Sequence, residues 1–177
     1  LIISAGATLV TALAPPNGSD ELNYNFALPK LYLESHHTGY IQSHRFSATP
    51  FGMEMLWLFG MMIHSATVAQ LLNWFMGISL AFASGTIATK LHSLKAGLIA
   101  ACLVYGITIV GDLSGGGKPE LGGSLFLVLS VIALLHWRKN QSNKWLIIAG
   151  IFAGVFVGTK LPNPLIVASL VLAITLD

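Results

Sequence analysis

Charge is what this sequence has least of. Only 9% of its 177 residues are Asp, Glu, Lys or Arg, against roughly a quarter in ordinary soluble domains, so a free-standing water-soluble fold is excluded. Neither sign dominates: nine basic and seven acidic side chains leave a formal charge of +2. Nucleic-acid binding draws on clustered Lys and Arg that neutralise several phosphates, and this balance does not supply them. Cysteine is almost absent as well. The single Cys102 excludes an internal disulfide framework and a cysteine zinc site, and its place in an apolar run reads as a small packing residue.

What is there is apolar sequence. Hydrophobic residues make up 54% of the chain and its mean hydropathy is +0.74. A spanning helix needs about 20 mostly apolar residues, with a lower limit near 17. Runs approaching that length cover residues 1–14, 66–89, 94–110, 121–137, 145–159 and 164–176, with a shorter apolar piece at 51–63. The expectation is an all-α integral membrane protein, a polytopic helix bundle of about six spans forming one transmembrane domain over residues 1–177. The chain begins and ends beside apolar runs, so it is expected to be a fragment of a longer protein. Its opening lacks the basic start and small-residue cleavage site of a signal peptide and reads as the remainder of a spanning helix.

The polar connections sort by sign. Residues 90–95 and 138–144 hold Lys90, Lys95, Arg138, Lys139 and Lys144 and no acid. The long segment 15–50, the apolar piece after it, and the connection 111–120 hold Asp20, Glu21, Glu34, Glu54, Asp112 and Glu120. The positive-inside rule puts the first set in the cytoplasm and the second outside. Three connections then bring Asp20, Glu21, Asp112, Lys118, Glu120 and Lys160 to one face of the bilayer. Ionisable groups at the ends of packed spans point to function, although loops in water are polar on their own account.

In the outer segment, Ser19 as N-cap and an apolar stripe of Leu22, Phe26 and Leu33 predict a helix lying on the membrane surface. Asp20 and Glu21 in its first turn either complement the helix dipole or supply chemistry. In the second reading one is a general base and the other holds a cation or orients an acceptor, with Asp20 on a face with Tyr24 and Glu21 on one with Asn25. The stretch from Gly111 to Glu120 misses the spacing of a phosphate loop. Pro119 suits a first helical turn instead, placing Lys118 and Glu120 at a helix N-terminus where backbone donors can meet an anion. Gly115, Gly116 and Gly117 read otherwise as a flexible turn. Gly150, Gly154 and Gly158 make a small-residue face for close helix approach. That helix leads to Lys160, which either snorkels or contacts a phosphate. His36, His37 and His44 are spaced too irregularly for a helix-borne metal pair, and His64, His92 and His136 ask for no special role.

Three stretches in this order carry a family pattern. An acid pair opens an outer helix (Asp20-Glu21, Tyr24, then Leu28-Pro29-Lys30 and Tyr32). A second outer-loop acid precedes a Leu- and Phe-rich span (Lys118, Glu120, Phe126). Finally, Lys144-Trp145 leads through Gly150 and Gly154 to Gly158-Thr159-Lys160. Over nearly the whole chain this resembles the N-terminal part of the GT-C membrane glycosyltransferases, in particular the bacterial branch related to protein mannosyltransferases and aminoarabinose transferases.

The resemblance implies transfer of a sugar from a polyprenyl-phosphate donor to a glycan, lipid or protein acceptor, with inversion. It places the chain in membrane lipid, in a bacterial inner membrane with its site facing outward. Asp20 falls on the catalytic base and Glu21 is the fallback. Lys160 falls beside the donor phosphate, with Lys118 assisting. Glu120 is the second outer-loop acid, where relatives often carry Asp. Some relatives use a divalent cation and others do not, so neither a cofactor nor metal ligands are assigned. Further spans and an outer domain would follow, and this stretch alone is expected to be inactive. A transporter or channel half and a structural membrane subunit without chemistry are the rival readings.

Overall fold

A computed structural model describes the backbone of residues 1–175 and the side chains through Leu172. Helices run in the order α1 (Ile2–Leu13), α2 (Ala27–Ser35), α3 (Gly52–Ile63), α4 (Ala66–Leu91), α5 (Leu94–Gly106), α6 (Thr108–Ser114), α7 (Pro119–Asn140), α8 (Asn143–Val157) and α9 (Asn163–Thr175). No strand occurs among the described residues. Two helices, α4 with 26 residues and α7 with 22, are long and apolar enough to cross a membrane. At 1.5 Å per residue they reach about 39 and 33 Å, against a hydrocarbon core of about 30 Å. A third such unit forms if α5 and α6 are taken together, but they bend by 68°. The bend falls at Ile107, whose extended backbone interrupts the helix. Two or three helices of this length fit a membrane protein.

The other expected spans are shorter than that core. Helices α1, α8 and α9 have 12, 15 and 13 residues, so none exceeds about 23 Å. The expected end of the last run at Leu176 lies outside the described residues.

Helix α4 is the hub, packing against α1, α3, α5, α6 and α7, while α7 also packs against α8. Phe26, Met53, Trp57, Met76, Leu80, Leu121 and Leu125 form the main apolar cluster. Polar side chains inside apolar helices fix what crosses them. Fully buried Asn73 on α4 donates to the carbonyls of Leu113 (2.7 Å) and Gly116, and Gln70, one turn earlier, donates to that of Gly115 (3.4 Å). Trp74 donates to the Ala5 carbonyl (3.0 Å), and the Thr8 and Tyr105 hydroxyls meet at 2.8 Å, tying α1 and α5 to α4. Such bonds bind firmly where water does not compete for the same groups.

Several local expectations are corrected. Ser19 caps nothing; its hydroxyl accepts from Asn23, and Asp20 occupies the cap position without a capping bond. Residues Glu21–Asn25 form a π-helical turn, closed by the Phe26 N–H to the Glu21 carbonyl at 3.0 Å. The wider turn shifts the helical phase, so Leu22 is 60% exposed while Phe26, Leu28, Pro29 and Tyr32 are buried. The three glycines are no flexible turn. They are buried, and a Cβ on Gly115, Gly116 or Gly117 would collide with Thr11, Glu21 or Phe26 respectively. The small-residue face of α8 is in part open among the described residues: Gly150 and Gly154 have empty space beside them, and of the three glycines Gly158 alone is closely approached, by Gly52. Helix α8 packs on α7 through its other side, where the Ser130 hydroxyl donates to the Ala149 carbonyl and Phe152 meets Phe126. Cys102 is exposed on α5 and is no buried packing residue among the described residues.

Candidate functional site

Four chain segments meet at one end of the bundle around a cavity of about 280 Å³. The π-helical turn brings Asp20, Tyr24 and Asn25. The approach to α3 and its first turn bring Thr49, Pro50, Phe51 and Glu54. The start of α7 brings Lys118, Pro119 and Glu120, and the turn from α8 to α9 brings Thr159, Lys160 and Pro162. Pro119 occupies the first turn of α7, as its fixed φ favours, and so sets Lys118 and Glu120 on either side of it. At the opposite wall, Thr159 and Asn163 bond to each other and to the Phe156 carbonyl, which holds Lys160 on a tight turn. The Gly52 N–H donates to the Gly158 carbonyl at 2.9 Å, joining that turn to α3.

Two ion pairs span the cavity. Lys118 donates to Asp20 at 2.7 Å and Lys160 donates to Glu120 at 2.5 Å. Each pair joins residues far apart in sequence, and each is only partly shielded from solvent. Pairs of that exposure contribute no more than about 1 kcal/mol, so an incoming anion can take over either ammonium at small cost. The hydrogen bond from Lys118 holds the Asp20 carboxyl below the usual carboxylate range; burial opposes it, and the charge of Lys118, a hydrogen bond from Tyr24 and the charge of Lys160 add to the lowering. Burial raises the Tyr24 hydroxyl, and the negative charges of Asp20, Glu120 and Glu54 add to that rise.

Glu21 takes a different place from its neighbour. It is buried and accepts from the backbone N–H groups of Gly18 (3.1 Å) and Gly117 (3.0 Å). Asn25, on the same side of the turn, donates to the Gly117 carbonyl at 2.8 Å. Together they clamp Gly117 of the glycine loop through its N–H and its carbonyl and line up the wall on which Lys118 stands. Asp112 does not join the site; it is exposed on α6. Among the described residues, no group of three His, Cys, Asp and Glu is placed to hold a metal ion. The notable addition is Glu54, a lone acid in an apolar helix, 3% exposed. Burial pushes its carboxyl up to about 7; nearby Glu120 adds to the rise, whereas its own backbone N–H and Lys160 oppose it. The signal was present in the sequence: an acid within the apolar run 51–63 is costly unless it serves a purpose.

No family model, curated protein or solved structure matches this chain. What the site can do is therefore argued from its groups alone. It presents an ionised carboxylate, a phenol, two ammonium groups held by exchangeable partners, and one protonatable buried acid.

Proposed function

We propose that the chain is the N-terminal part of a membrane glycosyltransferase of the GT-C type. It would use a polyprenyl-phosphate sugar, work at the outer side of a bacterial inner membrane, and cross it about six times, through α1, α4, α5 with α6, α7, α8 and α9. The observation that supports this best is the meeting of Asp20, Lys118, Glu120 and Lys160, from three separate connections, on one small cavity. Transfer from a lipid phosphate asks for little more. The leaving phosphate needs cations, and the acceptor hydroxyl needs a base on the opposite side of the anomeric carbon for inversion.

In this reading Lys160 and Lys118 move from their carboxylates to the donor phosphate. Asp20 then loses the partner that holds its proton affinity down, and becomes a stronger base when the donor is in place. Glu21 and Asn25 act by holding the loop and touch no substrate. Beside the π-helical turn lies a groove of about 790 Å³ bordered by Leu22, Phe26, Leu31 and Met61 together with Lys30, Glu34 and His44. Its apolar side would take a prenyl chain in this reading.

The test is sugar transfer or slow donor hydrolysis by the full-length protein in liposomes, with a panel of labelled polyprenyl-phosphate sugars. Activity lost in Asp20→Asn with membrane insertion unchanged is the expected result. Equal turnover in native protein and variant removes Asp20 from the mechanism.

A transporter is the second reading, favoured by the 68° bend between α5 and α6, since broken helices build transport sites. Such sites lie near the bilayer midplane. The charged cavity lies at the end of α7, which weighs against this reading. Flux of an anionic substrate across liposomes with no transfer activity would establish it.

A further inference from the structure

Glu54 has no part in the transfer step outlined above, yet three features set it into the same cavity. It is 3% exposed, its Oε2 is buried without a hydrogen-bond partner, and among the described residues the one other carboxylate oxygen in that state is Oε2 of Glu120. Two carboxylates cannot satisfy one another, since both only accept; a carboxylic acid beside a carboxylate can. The remaining oxygen of Glu120 holds Lys160. The charged groups facing Glu54 are Glu120 on α7, Lys160 on the turn after α8, and Tyr24 with its neighbour Asp20 on the π-helical turn.

We infer that Glu54 and Glu120 form one proton-sharing carboxyl pair that holds Lys160 until an anionic ligand takes it, so that anion binding is accompanied by uptake of a proton. The step balances simply. Lys160 leaves Oε1 of Glu120 for the ligand's anionic oxygen, and a proton from solvent joins the pair in place of the departing positive charge. The direction follows from the electrostatics, because Lys160 disfavours the protonated acid and its withdrawal favours it. Glu54 is thus a positioning residue that acts through Glu120. The ligand chemistry is an anionic phosphate; the phosphate-handling role of Lys160 rests on the reading above, whereas the carboxyl pair does not.

Infrared difference spectroscopy of the full-length protein separates the two. Without ligand, a carboxylic-acid band should fade between pH 6 and pH 8 with a midpoint near 7 and be absent in Glu54→Gln. A flat spectrum, or a band unchanged in that variant, overturns the pair. At pH 8, citronellyl phosphate should restore the band in native protein, whereas in Lys160→Ala the band should already persist at pH 8 without ligand and change little when it is added. Inorganic phosphate doing the same shows that the anion alone suffices, and restoration by the prenyl phosphate only assigns the effect to a lipid source; both outcomes support the linkage. Prenyl phosphate that binds, by calorimetry, without restoring the band overturns the linkage and leaves the transferase reading standing. Failure of both phosphates to bind overturns the linkage and the phosphate role of Lys160 together, with the ligand-free titration still judging the pair.

Discussion

The two ends of the bundle use lysine in opposite ways. At the cavity end Lys118 and Lys160 each face a carboxylate across a wall made by another segment. At the far end Lys90 meets His136 at 2.7 Å, His136 stacks on Trp145, and Lys95, Lys139 and Lys144 stand in connections that contain no acid. A lysine held by an acid at a cavity can be exchanged onto a ligand. Lys90 and Lys139, in the last turns of α4 and α7, complement the helix dipole, and lysines in connections without acids bias which side of a membrane that end occupies. Composition alone does not tell these uses apart, because the difference lies in what the fold places opposite each ammonium.

The largest effect that would sharpen this contrast is on Asp20. Asp20→Asn keeps the shape of the side chain and removes its charge, so transfer in the full-length protein should drop by about 10²-fold or more, as for loss of a general base. Its neighbour provides the control. Glu21→Ala leaves the N–H groups of Gly18 and Gly117 without their acceptor, and buried donors stranded in this way cost about 2 kcal/mol. Denaturant or thermal unfolding in detergent should show that loss for Glu21→Ala and almost none for Asp20→Asn. Equal instability in both variants would make Asp20 a structural acid like Glu21 and dissolve the distinction within the pair.

Lys160→Ala should act more mildly. Removing one of two ammonium groups weakens an exposed anion site without abolishing it, by about tenfold for a contact near 1.4 kcal/mol. Donor affinity measured by calorimetry should fall by that amount with turnover at saturation less affected. An unchanged affinity means the turn after α8 holds Lys160 for Glu120 alone.

Much of this was legible in the sequence, for reasons that can be named. Apolar run length marked α4 and α7, because burial along a spanning helix is written in every residue of it. Pro119 marked the start of α7 and so placed Lys118 and Glu120. Sorting the connections by charge grouped Asp20, Lys118, Glu120 and Lys160, which line one cavity, and also Asp112, which stands apart on α6. What failed was local phase and partner choice. A π-helical turn at Glu21–Asn25 moved the buried stripe from Leu22 to Leu28 and Tyr32, and no period read from the residues anticipates one extra residue in a turn. The open faces of Gly150 and Gly154 were misread because spacing says where a close approach is allowed, and only a neighbouring helix decides whether it happens. Asn73 and Gln70 went unread because their partners are the carbonyls of a loop some forty residues away, which no local pattern shows.

The smallest effect is expected at the basic end, and its smallness is the point. Lys139 and Lys144 are exposed and stand far from the cavity along α7 and α8. Replacing both by Gln removes two positive charges from a connection without acids, so the bias that fixes orientation weakens. Protease protection in liposomes should then reveal a larger share of molecules inserted the opposite way round. Transfer per correctly oriented molecule should stay within about twofold, because no group at this end touches the cavity and charge effects across about 30 Å of chain exceed the Debye length at physiological salt. A fall in turnover with orientation intact would show that the two ends are coupled, and the division between an exchanging and an orienting set of lysines would have to be given up.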